Sequence, residues 1–186
     1  MQGSRPSRVK NRLVKTYRHT VRLNYSLISP KGRDAFLNLE KYLESSTLER
    51  PLLELVRIRA SQLNGCAFCL SYHVPEALAR GESNLRIHLL PAWRESKMFT
   101  PREEAALAWT EAVTNVQDGH VPDPVFAEAR SQFSERELVD LTWVIVSING
   151  WNRMAISFRR LPKLPAPAVD VGEAPLQERG RAGLID

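Results

Sequence analysis

Two cysteines in a CxxC spacing, Cys66 and Cys69, are the residues of this 186-residue chain whose types and spacing most clearly suggest chemistry. Thiols three residues apart can close into a disulfide and reopen, which is redox chemistry. One helical turn later, His73 offers an imidazole that could take the proton of a thiol. A carboxylate, Glu54, lies 12 residues before Cys66. Together these four residues predict an activated dithiol.

Two other roles for the cysteines are less favoured. As a structural cross-link the pair would close a four-residue ring, which stabilises a fold by about 2 kcal/mol, against about 3 for a 15-residue loop. Zinc could bind Cys66, Cys69, His73 and Glu54, but structural zinc sites usually draw on two separated ligand pairs. The chain has no second CxxC or HxxxH. We therefore expect redox chemistry without a metal or another cofactor.

The sequence alone leaves open which thiol is the more reactive. Both cysteines stand at the start of a predicted helix, where partial positive charge lowers a thiol pKa, and this effect favours Cys66. His73 favours Cys69, because the two residues share one face of that helix. Their Cβ atoms would lie about 5–6 Å apart. A disulfide needs about 3.8 Å, so a modest adjustment of the first turn would close it.

Helices must position these residues, because the hydrophobic pattern is helical almost throughout. Capping boxes predict helix starts at Ser46, Thr100 and Ser134. Pro75 predicts a kink, or a break just after His73. No alternating strand pattern is present, so the predicted fold class is all-α. In chain order, the predicted helices span residues 34–43, 46–64, 66–81, 101–116, 124–132 and 134–160.

Glu54 can join the cysteines only if Asn64-Gly65 turns the chain. A continuous helix would put Glu54 about 18 Å from Cys66. An antiparallel helix pair would instead place Glu54 about 15 Å down one arm and His73 about 12 Å down the other. Glutamate, histidine and cysteine would then stand in the order of orienting group, base and nucleophile.

The last predicted helix is apolar on most sides, which is typical of a central helix or of an oligomer interface. The helix before the cysteines has one apolar stripe that includes Leu52 and Val56, and we expect Glu54 and Arg57 on another face. The four tryptophans are interpreted as core and subunit interface. They are Trp93, Trp109, Trp143 and Trp151.

Charge is distributed unevenly along the chain. Residues 1–33 carry nine Lys or Arg and no acid, while the rest holds 17 basic and 21 acidic residues. The basic arm lacks a nucleic-acid module, so we interpret it as a solvated or partner-docking extension. No run approaches the roughly 20 apolar residues of a membrane span, and no secretory h-region is present. We predict an extension (1–20), one cytoplasmic domain (21–160) and a Pro/Gly-rich tail (161–186).

The spacing around the cysteines resembles the core motif of the alkylhydroperoxidase D-like (AhpD-like) family, within the carboxymuconolactone decarboxylase superfamily: Glu54-x11-Cys66-x2-Cys69-x3-His73-x3-Ala77-x3-Gly81. Residues 89–113, 119–126 and 146–159 also resemble later segments of this family. The resemblance therefore covers about residues 20–160. It implies an all-helical fold that assembles into homo-oligomers (dimers, trimers or hexamers) and a thiol-dependent peroxidase.

The resemblance also implies roles for the site residues. Cys69 would attack an organic or hydrogen peroxide and become a sulfenic acid, which Cys66 condenses into a disulfide. Glu54 and His73 would relay the proton, and an external reductant would reopen the disulfide at Cys66. That reductant could be a lipoyl group, a thioredoxin-like protein or a small thiol. One residue departs from the family pattern: Phe68 stands where a histidine precedes the second cysteine, and we interpret it as a wall of the substrate pocket.

Two other functions are alternatives to the peroxidase. A redox-sensing or binding module would oxidise the same thiols once, whereas an enzyme would cycle with a reductant. A non-redox carboxymuconolactone decarboxylase-like enzyme would not depend on a CxxC pair. Sustained turnover distinguishes the peroxidase from the sensor.

Overall fold

Helices make up all the regular structure of residues 20–162, which are the residues that the computed structural model describes. No strand occurs within this range, so the all-α prediction is confirmed. Apart from residues 20, 161 and 162, the predicted N-terminal extension and C-terminal tail lie outside it. A short 3₁₀ turn at Leu90–Ala92 joins two of the nine α-helices seen here. They are α1 (Tyr25–Ile28), α2 (Pro30–Glu44), α3 (Arg50–Asn64), α4 (Ala67–Ala79), α5 (Asn84–Leu89), α6 (Trp93–Ser96), α7 (Pro101–Thr114), α8 (Asp123–Gln132) and α9 (Glu135–Phe158).

Two of the three predicted capping boxes are present. The side chains of Thr100 and Ser134 each accept a hydrogen bond from the backbone of the glutamate three residues on, and they start α7 and α9. The predicted start at Ser46 is wrong. The α3 helix begins at Arg50, where Pro51 in the first turn supplies the helical φ without needing a donor. The Ser46 hydroxyl is instead buried, with no hydrogen-bond partner in the described part of the chain.

The α3–α4 pair is antiparallel, as predicted, and Gly65 makes the turn. Gly65 adopts φ 68°, the left-handed conformation that glycine tolerates best. The backbone N–H of Cys66 donates to the Ser61 carbonyl at 2.9 Å across this turn. Farther from the turn, Glu54 on α3 contacts His73 on α4. Contacts both at the turn and farther from it show that the two helices run in opposite directions.

Pro75 does not break α4, which continues to Ala79. A proline inside a helix removes one backbone hydrogen bond. Tertiary packing compensates: Ala77, two residues later, is buried against Leu55 and Ile58 of α3. The break that the sequence allowed for is therefore excluded, and His73 and Ala77 lie on one continuous helix.

The α3 helix lies at the centre of the domain, packed against α4, α7 and α9. Seven consecutive residues from Leu52 to Ile58 are buried, including Glu54 and Arg57. The sequence pattern gave one apolar stripe and a separate polar face, yet both are buried. Glu54 and Arg57 tolerate this because they pair with each other, which offsets part of the cost of burying charge.

The α9 helix is central along one side only. Leu141, Ile145 and Ile148 are fully buried, whereas Trp143 on the opposite side is 47% exposed. Trp93 and Trp109 are buried in the core, as predicted, and Trp151 is half-buried.

The two ends of the described chain meet beside α9. The backbone N–H of Arg22 donates to the Phe158 carbonyl at 3.0 Å. The rings of Tyr25 and Phe158 lie 5.6 Å apart. Arg160 donates to the Tyr25 hydroxyl at 2.9 Å. These contacts, which we call the terminal clasp, join residues 22–25 to residues 158–160.

Candidate functional site

Cys66 and Cys69 form a disulfide at the first turn of α4, with their Cα atoms 5.4 Å apart. Cys66 is the N-cap residue, and its sulfur accepts a hydrogen bond from the Cys69 backbone N–H at 3.3 Å. Both cysteines are buried against small and apolar side chains of α3 and α9, among them Ala60, Ile148 and Ala155. The first turn of the helix thus accommodates the bond, as the spacing predicts.

The structure brings Glu54 and His73 together directly. Oε2 of Glu54 lies 2.9 Å from Nδ1 of His73. Glu54 is only 5% exposed, so the solvated position that a lone helical glutamate would take is not the one observed. Because an anionic Glu54 accepts the Nδ1 proton, the basic nitrogen of a neutral His73 is Nε2. One turn earlier on α4 stands Cys69.

Two residues that the sequence did not assign to the site, Arg57 and Glu40, complete a partly buried network. Arg57 donates to Glu54 at 2.8 Å and to Glu40 at 3.0 Å. Glu40 also accepts hydrogen bonds from the Ser147 hydroxyl at 2.5 Å and the Trp151 indole at 3.0 Å. The network therefore runs from α9 and α2 through α3 to His73 on α4.

Arg57 had a sequence signal and Glu40 had none. Arg57 follows Glu54 by three residues, a spacing that brings side chains together on a helix. Glu40 belongs to α2, 17 residues from Arg57, and only the tertiary fold brings the two together.

The surroundings of Glu54 favour its charged form. Burial raises the pKa of this carboxyl, but the hydrogen bond and charge of His73, together with those of Arg57, outweigh burial and hold the pKa below its usual range. Glu54 is therefore an anion at neutral pH.

A cleft with a volume of about 610 Å³ opens onto Cys69, Glu54 and His73. Its walls include Phe68, together with apolar side chains of α2 and α9. Cys66 faces a separate cavity of about 200 Å³. Phe68 and Arg160 line both spaces, so they form the wall between them.

The four predicted site residues do not form a metal-ligand set. Both oxygens of Glu54 are engaged, by Arg57 and by His73, and the two sulfurs are bonded to each other. Within residues 20–162, no three His, Cys, Asp or Glu side chains are grouped as metal ligands. In the same range, no helix is long and apolar enough to cross a membrane.

The domain is an all-helical protein with a buried CxxC disulfide, and sequence comparison shows which family it belongs to. Residues 30–112, which contain all four predicted site residues, match the carboxymuconolactone decarboxylase family. A Bacillus subtilis protein, the uncharacterized YdfG, is 40% identical over 136 residues, which are 73% of this chain and 92% of that one.

A crystal structure of a protein of unknown function from Agrobacterium tumefaciens, named as a candidate antioxidant defence protein AhpD, is 41% identical. It superposes with a TM-score of 0.76 and covers 78% of this chain and 100% of that one. The chain therefore belongs to the carboxymuconolactone decarboxylase family, and its fold is AhpD-like.

More distant relatives share the fold alone. The debrominase Bmp8 is 20% identical to this chain, with a TM-score of 0.64, over 72% of this chain and 74% of that one. Its debrominase activity is therefore not evidence for the function of this chain.

Proposed function

We propose that this protein is a thiol-dependent peroxidase that reduces organic or hydrogen peroxides through a Cys66–Cys69 dithiol/disulfide cycle. The observation that carries the proposal is the disulfide at a helix start, one turn from a histidine that a buried carboxylate holds. The Agrobacterium relative, named as a candidate antioxidant defence protein, supports the same class of activity.

In the oxidative half-reaction, His73 takes the proton of the Cys69 thiol while Glu54 stabilises the imidazolium. The Cys69 thiolate attacks the terminal oxygen of ROOH, and the O–O bond breaks. The alcohol leaves with a proton from His73, and Cys69 becomes a sulfenic acid. The Cys66 thiol then attacks the Cys69 sulfur, which releases water and forms the disulfide.

In the reductive half-reaction, a thiolate of an external dithiol attacks Cys66, and Cys69 leaves as a thiolate. The second thiol of the reductant resolves the mixed disulfide. Two electrons and two protons have then passed from the reductant to the protein. A lipoyl group, a thioredoxin-like protein or a small dithiol would serve, and all fit a cytoplasmic protein.

The test is hydroperoxide consumption with excess dithiol, in the wild type and in Cys69→Ser and Cys66→Ser. We expect sustained turnover in the wild type and its loss in both variants. A sulfenic acid trapped by dimedone at Cys69 in Cys66→Ser would assign the two roles. A wild type that oxidises once and then stops would contradict the proposal and point to a redox sensor. Turnover that survives in both serine variants would exclude the dithiol cycle.

A further inference from the structure

Five carboxylates line the cleft, and each of them has a cationic partner. Some of these pairs link two helices and others join residues of one helix or its cap, and Arg57 serves two of the five carboxylates. They are Asp34 with Arg33, Glu40 with Arg57, Glu44 with Arg50, Glu54 with Arg57 and His73, and Glu76 with Arg80.

Two cations on the cleft wall differ from the others. Within residues 20–162, neither Lys41 nor Arg160 forms an ion pair. The positive charge of these two side chains is therefore not paired with a carboxylate of the described residues. An anionic ligand could meet it without displacing an existing carboxylate.

Arg160 is the better placed of the two for contact with a substrate. Its guanidinium carbon lies 4.3 Å from the centre of the Phe68 ring, and Phe68 directly precedes Cys69. A hydrogen bond of 2.9 Å to the Tyr25 hydroxyl holds the group from the other side. A guanidinium has five N–H donors in a planar fork that matches a carboxylate. The guanidinium thus lies next to Phe68 on the wall of the cleft onto which Cys69 opens, with donors still available.

The rest of the wall is apolar. Leu37, Tyr72, Ile148 and Trp151 contribute hydrocarbon and aromatic surface. The cleft volume of about 610 Å³ lies within the range typical of small-molecule sites. An apolar wall with one anchored cation suits a ligand that is a hydrocarbon chain with a carboxylate.

We propose that Arg160 makes this protein selective for organic hydroperoxides that carry a carboxylate, such as fatty-acid hydroperoxides. The guanidinium binds the carboxylate, the chain lies along the apolar wall, and the hydroperoxide group reaches Cys69. The substrate preference rests on the peroxidase function proposed above. The anion site itself does not, because it can bind a carboxylate that has no peroxide.

The test compares linoleic acid hydroperoxide with its methyl ester, below micelle-forming concentrations, in the wild type and in Arg160→Gln. In the wild type we expect kcat/KM to be about tenfold higher for the acid, as a charge-assisted hydrogen bond provides. Arg160→Gln should remove this preference by slowing the acid alone. Arg160→Lys should restore part of it. Equal acid-to-ester ratios in the wild type and Arg160→Gln would overturn the proposal.

Arg153→Gln is the matched control. Arg153 is exposed on α9, bonds Asn149 and does not line the cleft, so the same charge change there should leave the ratio unaltered. A ratio that falls equally in this variant would show a general effect of charge and would overturn the proposal.

A second measurement separates this proposal from the peroxidase assignment. Isothermal titration of the oxidised protein with linoleate, which has no peroxide group, should show binding that Arg160→Gln weakens about tenfold. Such binding without any peroxidase turnover would refute the proposed function and leave the anion site standing. Turnover without Arg160-dependent binding would refute the anion site and leave the peroxidase standing.

Discussion

At the scale of single residues, the decisive group is Glu54, a buried carboxylate whose two oxygens serve different partners. Arg57 occupies one oxygen, and His73 occupies the other. The arrangement orients the imidazole and keeps the carboxylate charged, although burial by itself raises its pKa. Glu54 therefore links Arg57 on α3 to His73 on α4.

We expect Glu54→Gln to lower the free energy of unfolding by about 1–3 kcal/mol at pH 7, because it weakens charge-assisted hydrogen bonds to Arg57 and His73. The folded pKa of Glu54 lies below its unfolded value, which is about 4.3. Its contribution is therefore complete above that value and is lost as the pH falls through the folded pKa. Urea unfolding of both proteins from pH 3 to pH 7 measures the gap between them.

The stability gap should be constant above about pH 5 and should shrink below about pH 4. A gap that stays the same down to pH 3 would contradict the role given to Glu54. Glu76→Gln is the control, since Glu76 lies at the partly exposed cleft wall and pairs with Arg80 at 3.7 Å. The free energy of unfolding of Glu76→Gln should be within about 0.5 kcal/mol of the wild-type value at every pH.

At the scale of elements, the contact between α2 and α9 shapes the cleft. A Cβ atom at Gly150 would lie 2.6 Å from two atoms of the Phe36 ring, so the ring rests directly on the α9 backbone. The same ring meets Trp151 edge-on at a centroid distance of 5.2 Å. Trp151 bonds Glu40, and thus the packing of α2 also positions the carboxylate that holds Arg57.

Gly150→Ala should therefore destabilise the domain, although alanine is the better helix former by about 1 kcal/mol. Overpacking costs about 1–3 kcal/mol and outweighs that gain. In a Phe36→Ala background the clash is absent, so the same change should become stabilising. A double-mutant cycle by thermal or urea unfolding measures this reversal of sign. The same sign in both backgrounds would show that the Phe36 contact does not matter.

Local sequence signals predicted much of this arrangement, and long-range pairings account for what they missed. The capping boxes at Thr100 and Ser134 and the turn at Gly65 are encoded within a few residues, and each is present. Ser46 shows that such a local pattern can mislead, because the same S-x-x-E pattern occurs there in a loop before a helix that begins with a proline in its first turn. The CxxC–His73 spacing and Glu54 lie in one hairpin and could be found together.

Glu40 and Arg160 could not be found in this way. They reach the site from α2 and from the residue after the α9 C-cap, so their roles depend on tertiary packing that no local spacing encodes. Arg57 was predictable in part. Its three-residue spacing from Glu54 can be read from the sequence, but its second partner, Glu40, comes from another helix.

At the scale of the whole molecule, α9 presents an apolar face that nothing in residues 20–162 covers. Val139, Trp143 and Val146 lie on one side of the helix, and all three are exposed. Together with the oligomers that the family resemblance implies, this face leads us to propose that a second copy of the chain covers it.

We expect sedimentation of the wild type to show a homo-oligomer. Trp143→Glu should shift it toward monomer, because a charge in an apolar interface loses its hydration. Leu85→Glu, another exposed apolar position but on α5, is the control and should leave the mass unchanged. A monomeric wild type, or an oligomer that Trp143→Glu leaves intact, would place the interface elsewhere or exclude it.

The terminal clasp has a mechanical consequence. Arg22 is bonded to Phe158, and Tyr25 to Arg160, so the described chain forms a loop closed by weak contacts next to the cleft. Tension applied between the two ends of the domain would load this closure before it reached the helices behind it. The first events under force would then be the release of Arg22 from Phe158 and of Arg160 from Tyr25. The cleft wall would yield while the disulfide and the α3–α4 hairpin stayed intact.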